Sequence, residues 1–133
     1  KAADETVTTS VTNQADDELT IAVAASSVYI VEGRLYVDST ATADFRMQLD
    51  GPAGVTGTYD VADVASISSS AGTAYGTDTG SLACAAATDS FIINGIIRTD
   101  VTAGNLALLW AQGTSSGSTI VKANSYLKLT KVS

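Results

Sequence analysis

Few residues in this chain are of the types and spacings that do chemistry. None of its 133 residues is histidine. That removes the usual general base near neutral pH, the Ser-His-Asp arrangement and most zinc sites. Asp78-Thr79-Gly80 spells the triplet in which two meeting loops let a pair of carboxylates share one proton. Such a triplet follows an apolar strand, whereas here Tyr75-Gly76-Thr77 precedes it in a Gly/Thr-rich stretch. A surface turn is the expectation. Ser125 and Lys128 have the Ser-x-x-Lys spacing of serine acylases. That spacing needs the first turn of a helix, where residues three apart are neighbours. On a strand the same spacing sends the two side chains to opposite faces.

Calcium would need oxygen ligands clustered at a turn. The candidates are Asp38, Asp44 and Asp50, or Asp60 with Asp63. None has the dense alternate spacing of a dedicated loop, so solvated acids are expected and no metal or cofactor is assigned. Tyr29, Tyr36, Tyr59, Tyr75, Tyr126 and Trp110 offer flat faces that suit sugar rings, which leaves glycan binding open, although rings spread over a whole domain more often fill cores and interfaces. Cys84 is the single cysteine. It stands among small apolar residues in SLACAA with no basic neighbour, so it reads as a buried small hydrophobe rather than a reactive thiol. No glycine-rich phosphate loop is present. An enzyme is therefore not expected.

The net charge is −7, with 14 acids against 7 bases. Nucleic acid and anionic membrane surfaces are not expected as partners at that balance, because backbone and headgroup binding need clustered Lys and Arg. All acids fall between Asp4 and Asp100, and beyond Asp100 the chain carries only Lys122, Lys128 and Lys131. In an oligomer this asymmetry would bring one copy's tail to another's acidic region. No apolar run approaches the ~18 residues that span a bilayer. No charged stretch followed by an apolar one opens the chain; it begins at Lys1 rather than Met, which leaves a removed leader open.

The elements that must position these residues are strands. Hydrophobic residues make up 45% of the chain and charged ones 16%, and the rest is rich in Thr, Ser and Gly. Val and Thr favour pleated, half-buried surfaces. In VYIVEGRLYV (28–37), Tyr29, Val31, Leu35 and Val37 share a face, and Val28, Ile30, Glu32, Arg34 and Tyr36 share the other. Gly33 within it predicts a bulge or a close backbone approach. DFRMQLD (44–50) turns Phe45, Met47 and Leu49 inward. LTIAV (19–23) alternates in the same way, and a strand is expected over residues 58–64. Residues 66–81 read as a loop and SLACAA (81–86) as a short strand. SFIINGIIRT (90–99) is either a short Asn-Gly hairpin or, as preferred, one buried strand with a glycine bulge. LLWAQGTSSGSTIVKANSYLKLT (108–130) reads as a closing hairpin. On its first limb, both faces of residues 105–112 are apolar, which suits a central strand or a subunit interface. No segment has a helical period with a cap. Residues 1–17 read as an extended N-terminal arm with one short strand over 5–11, and residues 18–133 as a single domain of about eight strands. That spacing predicts a two-sheet sandwich or a barrel.

The order ELTIAVAASSVYIVEGRLYV, DFRMQLDGPAG, an apolar strand with glycine, NLALLWAQ and a terminal SYLKLTKV resembles a jelly-roll domain of tailed-bacteriophage virion proteins, of the head-decoration, head-fibre and minor-tail type. Its layout is also similar to the trimeric tumour-necrosis-factor/C1q-like jelly rolls. The resemblance covers residues 18–132 and is carried by strand patterns, so no site residue comes with it. It implies an antiparallel β-sandwich of jelly-roll type, a homo-oligomer of three copies, a place on the virion surface and a major capsid protein or other virion protein as partner. The arm would anchor or wrap a neighbour. The expected contact residues between copies are Ile30, Tyr36, Trp110, Tyr126, Lys128 and Lys131. The function expected is thus a non-enzymatic decoration or cement of the capsid, or an attached head fibre. The alternatives are a tail-fibre or tail-tip module that binds host-surface glycan, and a subunit of a secreted filament or surface layer whose arm completes a neighbour's sheet.

Overall fold

The computed structural model describes residues 1–40, 42–64, 69–84 and 88–133. Its described elements are ten strands: β1 (Glu5–Thr8), β2 (Gln14–Val23), β3 (Val28–Ser39), β4 (Arg46–Asp50), β5 (Thr56–Asp63), β6 (Ser69–Ala74), β7 (Asp89–Arg98), β8 (Gly104–Ala111), β9 (Ser118–Val121) and β10 (Tyr126–Lys131). They form an antiparallel β-sandwich. The large sheet runs β1-β9-β3-β7-β5-β6, and β10 also pairs with β3; the small sheet runs β2-β8-β4. From β1 to β4, and again from β7 to β9, the chain passes alternately from one sheet to the other, the wrapping of a jelly roll. The β5–β6 hairpin widens the large sheet beyond β7.

Alternation decides which side of each strand meets the core. Val31, Leu35 and Val37 of β3, Phe91, Ile93 and Ile97 of β7, and Tyr59 and Val61 of β5 point inward from the large sheet. Leu106, Leu108 and Trp110 of β8 and Met47 and Leu49 of β4 meet them from the small one. Phe45 joins the layers, with its ring 5.3 Å from Phe91 and 6.2 Å from Trp110. Both contacts are tilted, the geometry that ring quadrupoles favour. Each such side chain withdrawn from water contributes about 1.5–3 kcal/mol before the entropy of ordering is set against it.

β7 is one strand, as preferred from the sequence, but it has no bulge. Its register against β3 runs unbroken from Asp89 to Arg98, with Gly95 opposite Val31. The two central glycines are there because strands and side chains come close. A Cβ on Gly33 would stand 2.8 Å from Leu127 Cδ2 and 3.0 Å from the Tyr126 carbonyl; one on Gly95 would stand 2.8 Å from both Thr58 O and Tyr59 Cβ.

Several expectations are corrected. The stretch read as a loop over 66–81 contains β6 across Ser69–Ala74, and residues 66–68 lie outside the described residues. The short strand expected at 81–86 is reduced to one bridge, where Leu82 pairs with Phe45, and residues 85–86 lie outside the described residues. The closing segment is not a hairpin: β8 pairs with β2 and β4, whereas β9 pairs with β1 and β3. The Gly/Ser/Thr spacer crosses between sheets, held by the buried Gln112, which donates from Nε2 to Ser116 O at 2.9 Å and accepts from Ser10 N at 2.9 Å. Its second limb is itself broken, because Asn124 takes φ 69° and Ser125 N turns back to Lys122 O. β9 and β10 then lie end to end along one edge of β3.

Residues 1–17, read as an extended arm with one short strand, pair within this chain. β1 pairs with β9 of its own chain, and residues 14–17 already belong to β2. The reason is local polarity. Glu5 accepts from Asp17 N and Gln14 Nε2, and Glu18 accepts from Ala2 N and Ala3 N, so the acids that suggested a solvated arm hold three backbone donors and one side-chain amide instead.

Candidate functional site: the outer face of the large sheet

The outward residues of β10, β3, β7 and β5 stand in register rows. One row is Thr130, Ile30, Ile96 and Thr58; the next is Lys128, Glu32, Asn94 and Asp60; the third is Tyr126, Arg34, Ile92 and Ala62. Two partly apolar bands thus flank a polar one. Ile30 is 40% exposed, Ile96 45%, Ile92 36% and Tyr126 48%. Half-buried Tyr36 extends the face along β3, with the Arg34 guanidinium 5.5 Å from its ring centre.

The polar groups of the face hold one another. Lys128 Nζ meets Glu32 Oε2 at 2.9 Å, and Arg34 Nε donates to Ser90 Oγ at 2.7 Å. Both lysine and glutamate are well exposed, so the pair adds little stability. Beside Tyr126 lies a dent of about 170 Å³ lined by Glu32, Arg34, Ile92, Asn94 and Tyr126. This surface offers flat apolar contact with a few fixed hydrogen-bonding groups. It offers no nucleophile beside a base.

Of the residues expected at a contact between copies, Ile30, Tyr36, Tyr126 and Lys128 are together on this face. Lys131 is exposed at the end of β10, opposite Tyr29. Trp110 is not on any surface. It is wholly buried between the sheets of a single chain, because Leu106, Leu108 and Trp110 form the inner side of β8. The side of β8 that does look outward carries half-buried Ala107 and Leu109. The acid-free tail does not wait for another copy's acids: Lys122 bridges Asp4 at 2.8 Å and Asp38 at 3.2 Å, and Lys128 meets Glu32.

The remaining chemical candidates are dispersed. Asp78 accepts from Arg46 Nε at 2.9 Å, Asn13 Nδ2 at 2.7 Å and Gly80 N at 2.7 Å. Burial works to raise this carboxyl, but the Arg46 and Asn13 hydrogen bonds outweigh it and hold it below the ordinary aspartate value. Ser125 is buried just before β10 and its Oγ accepts from Tyr36 N at 3.0 Å, whereas Lys128 is exposed beside Glu32. Asp44 accepts from Ser81 Oγ and Cys84 N, Asp50 from Gly51 N and Asp60 from Gly72 N, while Asp63 is buried. Among the described residues no three acids or cysteines stand close enough to hold a metal ion. Cys84 is buried, and burial with the nearby Asp89, Asp44 and Asp63 pushes its thiol up to about 12. Tyr29 and Tyr59 are buried; Tyr75 packs on Tyr59 at 5.4 Å between ring centres. Only Tyr36 and Tyr126 share an outward face, so the six rings do not make one platform.

Sequence reasoning missed one group entirely. Lys1, Glu5 and Asp16 form a buried ion-paired cluster, with Lys1 Nζ 2.9 Å from Glu5 Oε2 and 3.0 Å from Asp16 Oδ1. No spacing in the sequence announces it, because it depends on β1 lying beside the start of β2.

Compared with protein-family models, with curated proteins and with solved structures, the chain matches none of them.

Proposed function

We propose that this chain is a non-enzymatic structural domain that assembles with further copies of itself through the outer face of its large sheet, as a decoration, cement or head-fibre component on the surface of a tailed-phage virion. The observation that carries the self-association is the gathering of Ile30, Ile92, Ile96 and Tyr126 on one outward face. Four strands spaced about 4.8 Å apart and about nine residues long at 3.4 Å each make a face of roughly 600 Å² in projection. That is near the ~800 Å² per partner of a stable interface. The virion setting and the count of three copies rest on the resemblance in the strand pattern, and the partner there is the major capsid protein or another virion protein.

Sedimentation and native mass measurements test the association. A discrete oligomer is expected, and Ile96→Glu and Ile30→Glu should each convert it to single chains with an unchanged β-type circular dichroism spectrum. A wild-type chain that stays single at high concentration removes the proposal. For the virion role, the chain added to shells lacking it should bind and raise their resistance to heat.

One observation favours a second reading. Tyr126 stands exposed beside a polar dent with Glu32, Arg34 and Asn94 in reach, the pairing of flat ring and hydrogen-bonding groups that sugars use. On that reading Tyr126→Ala abolishes adsorption to host-surface glycan and leaves the oligomer intact.

A further inference from the structure

The Lys1–Glu5–Asp16 cluster is built more closely than an ion pair requires. Side-chain exposure is 1% for Lys1, 13% for Glu5 and nil for Asp16. The β2–β8 register slips between Ala15 and Thr20, and this irregularity holds Asp16 among its residues. Within it Asp16 is buried, and its two oxygens are unlike. Oδ1 accepts from Glu18 N at 2.9 Å, from Leu19 N at 2.8 Å and from Lys1 Nζ at 3.0 Å. Oδ2 is buried and has no hydrogen-bond partner among the described residues. Lys1 is fixed from behind: its backbone nitrogen donates to Ser125 O at 2.7 Å, and its carbonyl accepts from Asn124 N at 2.9 Å.

We propose that this cluster is a site of spontaneous covalent cross-linking, in which Lys1 Nζ and the Asp16 side-chain carboxyl condense to an isopeptide bond with Glu5 as the proton carrier. An ammonium–carboxylate pair and an amine–carboxylic acid pair differ only by one proton moved between them. Desolvation favours the uncharged form, and the partnerless Oδ2 is the oxygen free to take that proton. The lone pair of Nζ then attacks Asp16 Cγ. The negative charge that develops on Oδ1 falls between the Glu18 and Leu19 N–H groups, which donate to it before the reaction begins, as in an oxyanion hole. Glu5 accepts the proton that the new N–C bond expels and passes it to Oδ2. The Cγ–Oδ2 bond breaks, one water leaves and Glu5 returns to its carboxylate. No electrons are exchanged with any other molecule, and the net charge of the three side chains is −1 before and after. Opposing this, the hydrogen bonds and charges of Glu5 and Asp16 outweigh burial and hold the Lys1 ammonium above its ordinary value, so moving its proton to Oδ2 is the step that the surroundings resist. The product ties the segment before β1 to the start of β2 and closes the edge of the sandwich with a bond that unfolding does not break.

Intact-mass measurement of the folded, purified chain tests this directly. The expected mass is one water below that of the sequence. Digestion of the denatured chain after glutamate should leave residues 1–5 and 6–18 joined as one branched peptide. Lys1→Arg keeps the charge but has no amine to acylate, and Asp16→Ala has no acyl group; both should show full mass and separate fragments. Glu5→Gln should slow the loss of water by ~100-fold or more, the usual size of a general-base contribution. A wild-type chain of full mass overturns the proposal. So does a chain one water short whose two fragments separate, since the water then came from elsewhere, such as Asp50-Gly51.

Discussion

Arg46 Nε on β4 lies 2.9 Å from Asp78 Oδ2, and this pair ties the small sheet to the segment between β6 and β7. The aspartate is 19% exposed and also accepts from Asn13 and Gly80. Its carboxyl is lowered in the fold, so the unfolded chain takes up the proton first as pH falls. The contribution of Asp78 to stability is therefore complete above the ordinary aspartate value of about 4 and is lost as pH drops through the lower folded value. Urea midpoints measured from neutral pH into this acid range should fall more for wild type than for Asp78→Asn. Removing the charged acceptor with Asp78→Ala should cost about 2 kcal/mol at neutral pH.

Trp110 reports the core and not the assembly. It is wholly buried, and its Nε1 has no hydrogen-bond partner among the described residues. Its emission should be that of an indole shielded from water, should stay unchanged on dilution through any oligomer–monomer transition, and should move to longer wavelength only on unfolding. Trp110→Ala should destabilise the single chain by about 3–5 kcal/mol.

Two glycine substitutions should differ in cost. Alanine at Gly95 meets the Thr58 carbonyl, which the β5–β7 ladder holds in place, whereas alanine at Gly33 first meets the movable end of Leu127. Both overpack the sandwich, a change that costs about 1–3 kcal/mol. Thermal unfolding should place Gly95→Ala below Gly33→Ala.

Cys84 should resist alkylation in the folded chain at neutral pH. Its thiol is buried and pushed up to about 12 by burial and by the carboxylates of Asp89, Asp44 and Asp63. The reacting species is the thiolate, so labelling should proceed only through unfolding. Its rate should rise in step with the unfolded fraction as urea is added.

The outward face of the large sheet was largely legible in the sequence, because Ile30, Glu32, Arg34 and Tyr36 alternate with residues that are plainly apolar. Period-two side-chain direction is a local property of an extended backbone. The same rule could not say which apolar side of β8 was the inner one. Leu106, Leu108 and Trp110 face inward because β2 and β4 flank β8 and the large sheet covers it, and no residue near Trp110 records that. The β6 strand was hidden by its composition: Ser, Ala, Gly and Thr carry too little apolar contrast for alternation to be visible.

By itself the sequence determined the all-β class, the inward sets Phe45-Met47-Leu49 and Val31-Leu35-Val37, and the lack of an imidazole anywhere in the chain. Each of these depends on residues a few positions apart, or on composition alone. The tertiary structure decided the partners. It placed β8 and β9 in different sheets, laid residues 1–17 back onto their own sandwich and brought Lys1 to Asp16. It also set Ser125 against Tyr36 N, 89 positions away in the chain. Strand pairing is a choice among distant edges with the same backbone donors and acceptors. Only simultaneous burial of both sheets' inner faces, with buried polar groups satisfied at the crossings, selects one pairing over the others.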